Sequence, residues 1–482
     1  MINFSDFKNA EKVFRFFEEF SKIPHASENT SAIADYLVDF AKSRGLSYLR
    51  DAADNVIIRK SATPGYENRP TVIFQGHTDM VADKTADCDI DMEKEGLRLY
   101  RDGDFLRAEG TTLGGDDGVA IAYALAILDS NDIEHPNFEA LFTSDEEIGL
   151  IGATALDASQ LNGKTMINID SDVEGIFTVG CAGGMRMDIK INLEKTKVRK
   201  GLFKISVSGL MGGHSGTEID KGRVNAIKVI SDVISHSSSP VIANICGGNA
   251  DNAIPRSAEA IYGVENESEI AADNLEYITK NIVIPAVIKR YIEKEPAISI
   301  TFDRFDGEAE TFGAHDTAKI LRMIAMLPSG VREMSEEIPG LVETSSNLGI
   351  VKSDGNSVTV SVSLRSSKNT KKAELRDRIR EIGGSFGADI SERGEYPAWE
   401  YRKDSHLRDV MCRVYTEMYK KEPEIVTIHA GLECGIFSEK ITGLDCVSIG
   451  PDNFDIHTPE ERLSISSTAR VFEYLKRVLK EI

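Results

Sequence analysis

The chain has 482 residues, 41% of them hydrophobic and 28% charged, which is the composition of a globular protein too long for one core. Its formal net charge of −22 argues against binding to nucleic acid or to an anionic membrane surface. The six cysteines form no CxxC pair, so neither a disulfide scaffold nor a zinc ribbon is expected. The first ten residues lack the apolar core of a signal peptide, and no segment reaches the roughly 20 apolar residues of a membrane span. We therefore expect a cytoplasmic protein of two or three domains.

The first 170 residues alternate between helical and strand-like patterns. The predicted elements are helices over residues 4–20, 30–43 and 119–128, and strands over residues 56–58, 71–74, 138–142 and 165–169. This alternation predicts an α/β sheet with helices on both faces. Ligands gather at the carboxyl ends of the strands in such sheets.

Near Met185 the pattern changes to the alternation of apolar and polar residues that half-exposed antiparallel strands have. The predicted elements are strands over residues 187–193, 203–207, 241–245, 258–264, 298–302, 341–351 and 358–364, and helices over residues 224–234, 318–326 and 373–382. This stretch is consistent with two copies of a small unit of sheet and helix.

After Trp399 the α/β pattern returns. The predicted elements are helices over residues 406–418 and 466–479 and strands over residues 425–428 and 444–449. We therefore expect a discontinuous catalytic domain, residues 1–186 and 399–482, with an inserted α+β lid domain, residues 187–398.

Residues 113–118 (LGGDDG) directly precede the apolar helix predicted over residues 119–128. Glycines let the backbone turn tightly, and carboxylates are favoured at a helix N-terminus. Taken alone, the segment is explained by a capped helix after a loop.

Four further segments place histidine or carboxylate residues beside strand-like runs: residues 76–80 (GHTDM), 144–149 (SDEEIG), 168–170 (NID) and 455–462 (DIHTPEER). Each has an ordinary explanation, namely a surface loop, an acidic turn, a helix cap and an exposed histidine. If these explanations held separately, the location of all these residues at strand ends of one domain would be a coincidence. A single site that contains all of them is therefore favoured. The candidate metal ligands are His77, Asp116, Glu147, Asp170 and His457.

The chemistry of this set is consistent with two divalent ions. Carboxylates and imidazole without thiolate suit Zn, Mn or Co. Two divalent ions carry +4, three carboxylates supply −3, and a bridging hydroxide would complete neutrality. Metal can lower the pKa of a bound water from about 15.7 toward about 7. His77 and Asp79 point the same way from an extended backbone, whereas the side chains of Glu146 and Glu147 diverge.

These segments, together with residues 212–216 (GGHSG), resemble the aminoacyl-histidine dipeptidases (Xaa-His dipeptidases, carnosinase-like). That family belongs to the co-catalytic zinc metallopeptidases, which also include aminoacylases and glutamate carboxypeptidases. The resemblance runs in order over nearly the whole chain. Assignment to the Xaa-His branch rests on the length, the long lid and residues 429–435 (HAGLECG).

The resemblance implies an α/β fold, a mixed-sheet three-layer zinc-peptidase domain with an inserted lid. It also implies two Zn²⁺ ions per chain, with Mn²⁺ or Co²⁺ as substitutes. The implied ligands are His77 and Asp170 for one ion and Glu147 and His457 for the other, with Asp116 bridging. A cis peptide bond between Asp116 and Asp117 is a further implication.

The resemblance implies roles for five more residues. Asp79 would orient the His77 ring, and Glu146 would be the general base. In the lid, His214 would stabilise the oxyanion, whereas Asn252 and Arg365 would bind the substrate carboxylate. Alternatives are a turn histidine in a glycine-rich loop for His214 and a surface strand arginine for Arg365.

The expected enzyme is a metallo-exopeptidase that hydrolyses unblocked dipeptides, including Xaa-His, by attack of a metal-bridging hydroxide. The nearest alternative is an N-acyl amino acid deacylase or a tripeptidase on the same core. A non-catalytic metal-binding protein would have no need of Glu146. The expected binding partner is a dipeptide substrate, and the sequence is compatible with a homodimer as well as with a monomer.

Overall fold

The computed structural model describes residues 2–482, and the chain divides into two compact units. The first unit comprises the residues up to Cys181, Tyr401–Thr427 and Leu432–Ile482. The second unit comprises Ala182–Glu400 and the short segment Ile428–Gly431. No helix in the described part of the chain is long and apolar enough to cross a membrane.

The α-helices of residues 2–482 are, in chain order, α1 Glu11–Phe20, α2 Ser31–Ser43, α3 Gly115–Leu128, α4 Ile151–Ala155, α5 Ala226–Ser235, α6 Glu269–Ile278, α7 Ile284–Tyr291, α8 Ala314–Met326, α9 Asn369–Ser385, α10 His406–Tyr419, α11 Glu433–Lys440 and α12 Ile465–Glu481.

The strands of the first half of the chain are β1 Ser47–Arg50, β2 Val56–Lys60, β3 Val72–His77, β4 Leu99–Asp102, β5 Phe105–Ala108, β6 Phe138–Thr143, β7 Thr165–Asn168, β8 Ile176–Cys181, β9 Gly183–Asn192, β10 Lys195–Arg199, β11 Phe203–Ser208, β12 Gly213–His214 and β13 Pro240–Gly247. The remaining strands are β14 Ala253–Ile254, β15 Ala258–Val264, β16 Ser299–Arg304, β17 Ala309–Phe312, β18 Gly330–Met334, β19 Val342–Asp354, β20 Ser357–Ser366, β21 Asp389–Tyr396, β22 Glu424–Ile428, β23 Asp445–Ser448, β24 Asn453–Phe454 and β25 Arg462–Ser464.

The first unit is built on an eight-stranded mixed sheet of order β1-β2-β6-β3-β7-β23-β8-β22. Its four central strands, β6, β3, β7 and β23, are parallel neighbours, so their carboxyl ends meet at one edge. A smaller four-stranded sheet has the order β24-β25-β5-β4. The predicted α/β fold with a mixed sheet is confirmed.

Helix α3 lies in the core of the first unit because its sequence is apolar on every side. All of its residues from Asp117 onward are buried. The hydroxyl of Tyr123 donates to the backbone oxygen of Thr468 at 2.8 Å, and its ring stacks on Phe472. Helix α3 also contacts β3, which leaves the loop before α3 beside the end of that strand.

The second unit is built on a nine-stranded sheet with the path β16-β11-β15-β13-β19-β20-β9-β21, and β18 pairs with β19. Helices α6 and α7 are absent from the sequence prediction. Pro285 stands at the start of α7, which continues from α6 through a π-helical turn over Thr279–Val283. Because proline and β-branched residues disfavour a helix, the spacing of apolar residues alone does not predict α7.

Gly349 lies at a bulge of β19, between the paired residues Leu348 and Ile350. A Cβ atom there would come within 2.6 Å of the Cα and the backbone oxygen of Asp251. Gly384 in α9 is a matched control in the same unit, because a Cβ atom there meets nothing within 4 Å.

We expect Gly349→Ala to lower the free energy of unfolding by about 2 kcal/mol or more, because backbone atoms must move to admit the methyl group. Gly384→Ala should raise it by roughly 0.5–1 kcal/mol through helix propensity. Urea unfolding of both variants measures the difference. Equal stabilities would contradict the close approach at Gly349.

Candidate active site

The candidate residues of the first unit lie at the edge where its parallel strands end. His77 is the last residue of β3, Glu146 and Glu147 follow β6, and Asp170 follows β7. Because β6, β3 and β7 are adjacent and parallel, these side chains come from neighbouring strand ends.

Asp116 lies between the two predicted histidine ligands. Its Oδ1 is 3.1 Å from His77 Nε2, and its Oδ2 is 3.2 Å from His457 Nε2. His77 Nε2 is 4.0 Å from Asp170 Oδ1, and His457 Nε2 is 2.8 Å from Glu147 Oε1. The five predicted ligands thus form two groups that share Asp116.

Ligand atoms within each group lie close enough to hold one ion. In the sets His77/Asp116/Asp170 and Asp116/Glu147/His457, one potential ligand atom from each residue lies within 4.8 Å of the others. The Asp116–Asp117 peptide bond is cis, as the resemblance implies. Asp117 is buried, and its Oδ2 accepts the backbone N–H of His77 at 3.2 Å.

The electrostatics of the cluster follow from buried carboxylates packed against imidazoles. Burial alone would raise the pKa of Asp116, but His457 and His77 outweigh it and hold that pKa below its ordinary value. Burial, and then the charge of Asp116, raises the pKa of Asp170. The pKa of His457 is raised to about 10 by hydrogen bonds to Asp116 and Glu147. A raised pKa of Asp170 beside a lowered pKa of Asp116 indicates an excess of negative charge in this cluster.

A pair of cations fits this donor set. Carboxylate and imidazole ligands without sulfur are those that Zn²⁺, Mn²⁺ and Co²⁺ accept. Asp116 and Glu147 both direct a carboxylate oxygen at His457 Nε2, at 3.2 and 2.8 Å. Several anionic oxygens that converge on one imidazole nitrogen are the arrangement that ligands around a cation have.

Asp79 contacts both sides of the site. The backbone oxygen of Asp79 is 2.9 Å from His77 Nδ1, and its carboxylate is 3.5 Å from the same nitrogen. The carboxylate also accepts the backbone N–H groups of Glu146 and Glu147 at 2.9 and 3.2 Å. Asp79 therefore holds the acidic turn as well as the ring of His77, and Ser27 donates to it at 2.8 Å.

Glu146 adjoins the two groups without belonging to either. It forms a third cluster with His77 and Glu147, again within 4.8 Å. Burial, together with the nearby carboxylates, raises the pKa of Glu146 to about 8. Cations nearby would lower this pKa, because positive charge favours the carboxylate.

Glu461 is a buried residue of this site that the sequence prediction does not include. Its two carboxylate oxygens accept four consecutive backbone N–H groups, those of residues 113–116, at 2.7–3.3 Å. Asn453 Nδ2 donates to it at 3.0 Å. One carboxylate thus fixes the loop that carries Asp116. No local pattern in the sequence links Glu461 to that loop.

Glu433 is a second buried carboxyl that the prediction leaves out. Gln75 of β3 and Thr143 of β6 donate to its Oε2 at 2.6 and 2.7 Å. Asn168 of β7 donates to Gln75 at 2.7 Å, so the network joins the three strands that lead to the candidate ligands. Burial raises the pKa of Glu433 to about 7.

In the second unit, strand pairing brings the His214 and Asn252 segments together. His214 of β12 pairs with Ala253 of β14, and Asn252 accepts the backbone N–H of Ser215 at 2.8 Å. The backbone N–H of Thr217 donates to His214 Nδ1 at 3.2 Å. Burial, and then the charge of Arg365, lowers the pKa of His214.

Arg365 on β20 is partly buried. Its Nη1 donates to the Tyr396 hydroxyl at 3.0 Å, and its buried Nε has no hydrogen-bond partner among the described residues. His429, which the prediction gives no role, is also buried in this unit and lies 2.7 Å from Ser345 Oγ. Burial lowers the pKa of His429 to about 3, with a smaller contribution from Arg365.

The model of peptidase family M20/M25/M40 matches residues 73–481, which is most of the chain and includes every candidate residue above. The chain belongs to this peptidase family. It is therefore a hydrolase, as the sequence resemblance implies.

Two members resemble the chain over nearly all of its length. The cytosol non-specific dipeptidase of Escherichia coli (strain K12) is 35% identical over 474 residues, which cover 97% of this chain and 96% of that protein. The crystal structure of the aminoacylhistidine dipeptidase from Vibrio alginolyticus superposes with a TM-score of 0.90 at 34% identity, covering 98% and 96% of the two chains.

A more distant structure shares the fold. A tripeptidase from Staphylococcus aureus superposes with a TM-score of 0.57 at 17% identity over the full length of both chains. The architecture of this peptidase family thus persists at low sequence identity.

The hydrogen bonds from the backbone N–H groups of residues 113–116 to Glu461, called here the Glu461 clamp, lead to a stability prediction. Glu461→Ala should lower the free energy of unfolding by about 3 kcal/mol or more, because four loop N–H groups lose a charged acceptor in a buried place. Glu461→Gln should recover part of the loss, because one oxygen remains. Glu460→Ala is the matched control, since its side chain is 77% exposed. A Glu461→Ala variant as stable as Glu460→Ala would contradict the clamp.

Proposed function

We propose that the protein is a dinuclear metallo-dipeptidase that hydrolyses unblocked dipeptides, Xaa-His dipeptides among them. The observation that carries the proposal is Asp116, which contacts both His77 and His457 and is common to two ligand groups, with Glu146 beside them. The names of the two relatives at 34–35% identity support a dipeptide as the substrate.

The proposal gives each of the two ions its own ligands. His77 and Asp170 would hold one ion, Glu147 and His457 would hold the other, and Asp116 would bridge them. Zn²⁺ is the proposed metal, with Mn²⁺ or Co²⁺ as substitutes. When bound, the two ions supply Lewis acidity that polarises the scissile carbonyl and acidifies a water molecule.

Glu146 is the proposed general base. Its carboxylate accepts the proton of the attacking water, and the resulting carboxylic acid then delivers that proton to the leaving amine. Asp79 supports this role, because its carboxylate receives the backbone N–H groups of Glu146 and Glu147.

His214 is the proposed donor to the oxyanion. Because Thr217 N–H donates to Nδ1, the neutral ring carries its proton on Nε2 and can donate from there. The lowered pKa keeps the ring neutral. Arg365, whose buried Nε has no hydrogen-bond partner in residues 2–482, is the proposed group for the substrate carboxylate, and Asn252 assists it.

We expect Glu146→Gln to retain close to two metal ions per chain while kcat falls by about 10⁴ or more, since the proton acceptor and donor is lost but no ligand is. Glu147→Ala should lose metal as well as activity, because it removes a whole ligand. Metal analysis and single-turnover hydrolysis of a dipeptide distinguish the two variants. Glu146→Gln with kcat within a factor of about ten of the parent would falsify the role of Glu146.

We expect a free C-terminal carboxylate to be required. Arg365→Lys should lower kcat/KM for dipeptides by about tenfold or more, since an ammonium cannot form the bidentate pair. C-terminally amidated dipeptides should be poor substrates of the parent and insensitive to the substitution. Arg304→Lys, on an exposed strand of the same unit, is the control. Equal cleavage of amidated and free dipeptides by the parent would exclude this role.

The substrate class is tested separately with N-acetylated dipeptides and tripeptides. A dipeptidase prefers the free-amine dipeptide. Preference for the acetylated compound or for the tripeptide would replace the proposal by the deacylase or tripeptidase alternative while leaving the metal site unchanged.

A further inference from the structure

The second unit contains a cavity of about 900 Å³ that none of the catalytic proposals uses. Residues of α5, α7 and α9, the end of α8, the segment 219–225 and residues 327–332, which lead into β18, line it. Neither His214 nor Arg365 is among the lining residues. The volume falls within the range of small-molecule pockets, roughly 300–1,000 Å³.

The lining carries positive charge in a chain whose net charge is −22. Among the lining residues, six are cationic and one is acidic: Arg223, Lys228, Arg290, Lys294, Arg332 and Arg378 against Asp220. A concave surface with one sign of charge focuses the field and attracts counter-ions. The cavity is therefore suited to an anion.

Three of these cations already have carboxylate partners. Arg223 pairs with Glu218, Arg290 with Asp232 and Arg378 with Glu381, at 2.9, 2.8 and 3.3 Å. These three are partly neutralised and contribute less to the field.

Among the described residues, the other three lining cations have no carboxylate partner. Lys228 donates to the backbone oxygens of Ile324, Ala325 and Leu327, which end α8. Burial, and then repulsion from Arg332, lowers the pKa of Lys228 to about 8. Lys294 and Arg332 are exposed, and their side chains form no ion pair or hydrogen bond among the described residues. An anion between these groups would relieve their repulsion.

The remaining lining gives the cavity an apolar side and one unsatisfied acceptor. Met326, Val331, Leu375 and Ile382 line it, and Met326 is 51% exposed. Asn347 also lines the cavity and is only 2% exposed. Its Nδ2 donates to the backbone oxygens of residues 251 and 253, whereas its buried Oδ1 has no partner among residues 2–482. A buried acceptor without a partner is a site for a donor group.

We propose that this cavity binds an organic phosphate of nucleotide size. The phosphate groups lie against Lys294 and Arg332, an aromatic or apolar body lies against Met326 and Leu375, and a hydroxyl or amino group donates to Asn347 Oδ1. A dianionic phosphate suits unpaired Arg and Lys better than a single carboxylate does, because guanidinium binds phosphate oxygens in pairs. The proposal does not depend on the catalytic one.

The test is calorimetric titration of the full-length, metal-loaded protein with ADP, inorganic pyrophosphate and adenosine. ADP and pyrophosphate should bind, and adenosine should bind at least tenfold more weakly than ADP. The double variant Lys294→Glu/Arg332→Glu should weaken ADP binding at least tenfold. Rising NaCl should weaken ADP binding to the parent, because charge supplies the attraction.

The double variant Lys289→Glu/Arg322→Glu is the matched control. Its two residues are exposed cations of α7 and α8, but they do not line the cavity. The charge change is the same, so ADP should bind this variant as it binds the parent. Dipeptide turnover by both double variants reports that they fold.

Three results would overturn the proposal. The first is that neither ADP nor pyrophosphate binds with a Kd below about 1 mM. The second is that binding survives in Lys294→Glu/Arg332→Glu, which would locate the phosphates elsewhere, the catalytic metals included. The third is that polyglutamate binds to the protein and the phosphate compounds do not, which would indicate an acidic protein segment as the occupant.

Discussion

The structure of the first unit depends on a concentration of partly buried negative charge at one sheet edge. Asp116, Glu146, Glu147 and Asp170 converge there on the buried His77 and the exposed His457. Carboxylates in such surroundings repel one another unless protons or cations compensate them. The surrounding polar groups hold the backbone around the cluster, which allows the carboxylates to remain close.

Much of this edge could be predicted from the sequence because strand ends have a local signature. An apolar run that stops at a histidine or an aspartate shows both where a strand ends and which side chain follows it. His77 and Asp170 illustrate this, since His77 is the last residue of β3 and Asp170 comes two residues after β7. In parallel strands the ends meet, so local patterns at distant positions predict a shared location.

The parts that escaped prediction depend on contacts between distant segments. Glu461 accepts N–H groups of a loop nearly 350 positions earlier, and Glu433 reaches Gln75 and Thr143 across the sheet. Neither glutamate differs from a surface residue in its local sequence. The helix α7 was missed for another reason, because Pro285 and β-branched neighbours obscure its period. Contacts between distant segments leave no local pattern in the sequence, whereas the burial of an apolar strand or helix does.

The position of β23 has a consequence for synthesis of the chain on the ribosome. In the sheet, β23 separates β7 from β8, although β8 follows β7 directly in sequence. Until residues 445–448 have been translated, β7 presents an unpaired parallel edge, a known template for wrong association. The central sheet of the first unit can therefore be completed beside β7 only after its C-terminal segment has been synthesised.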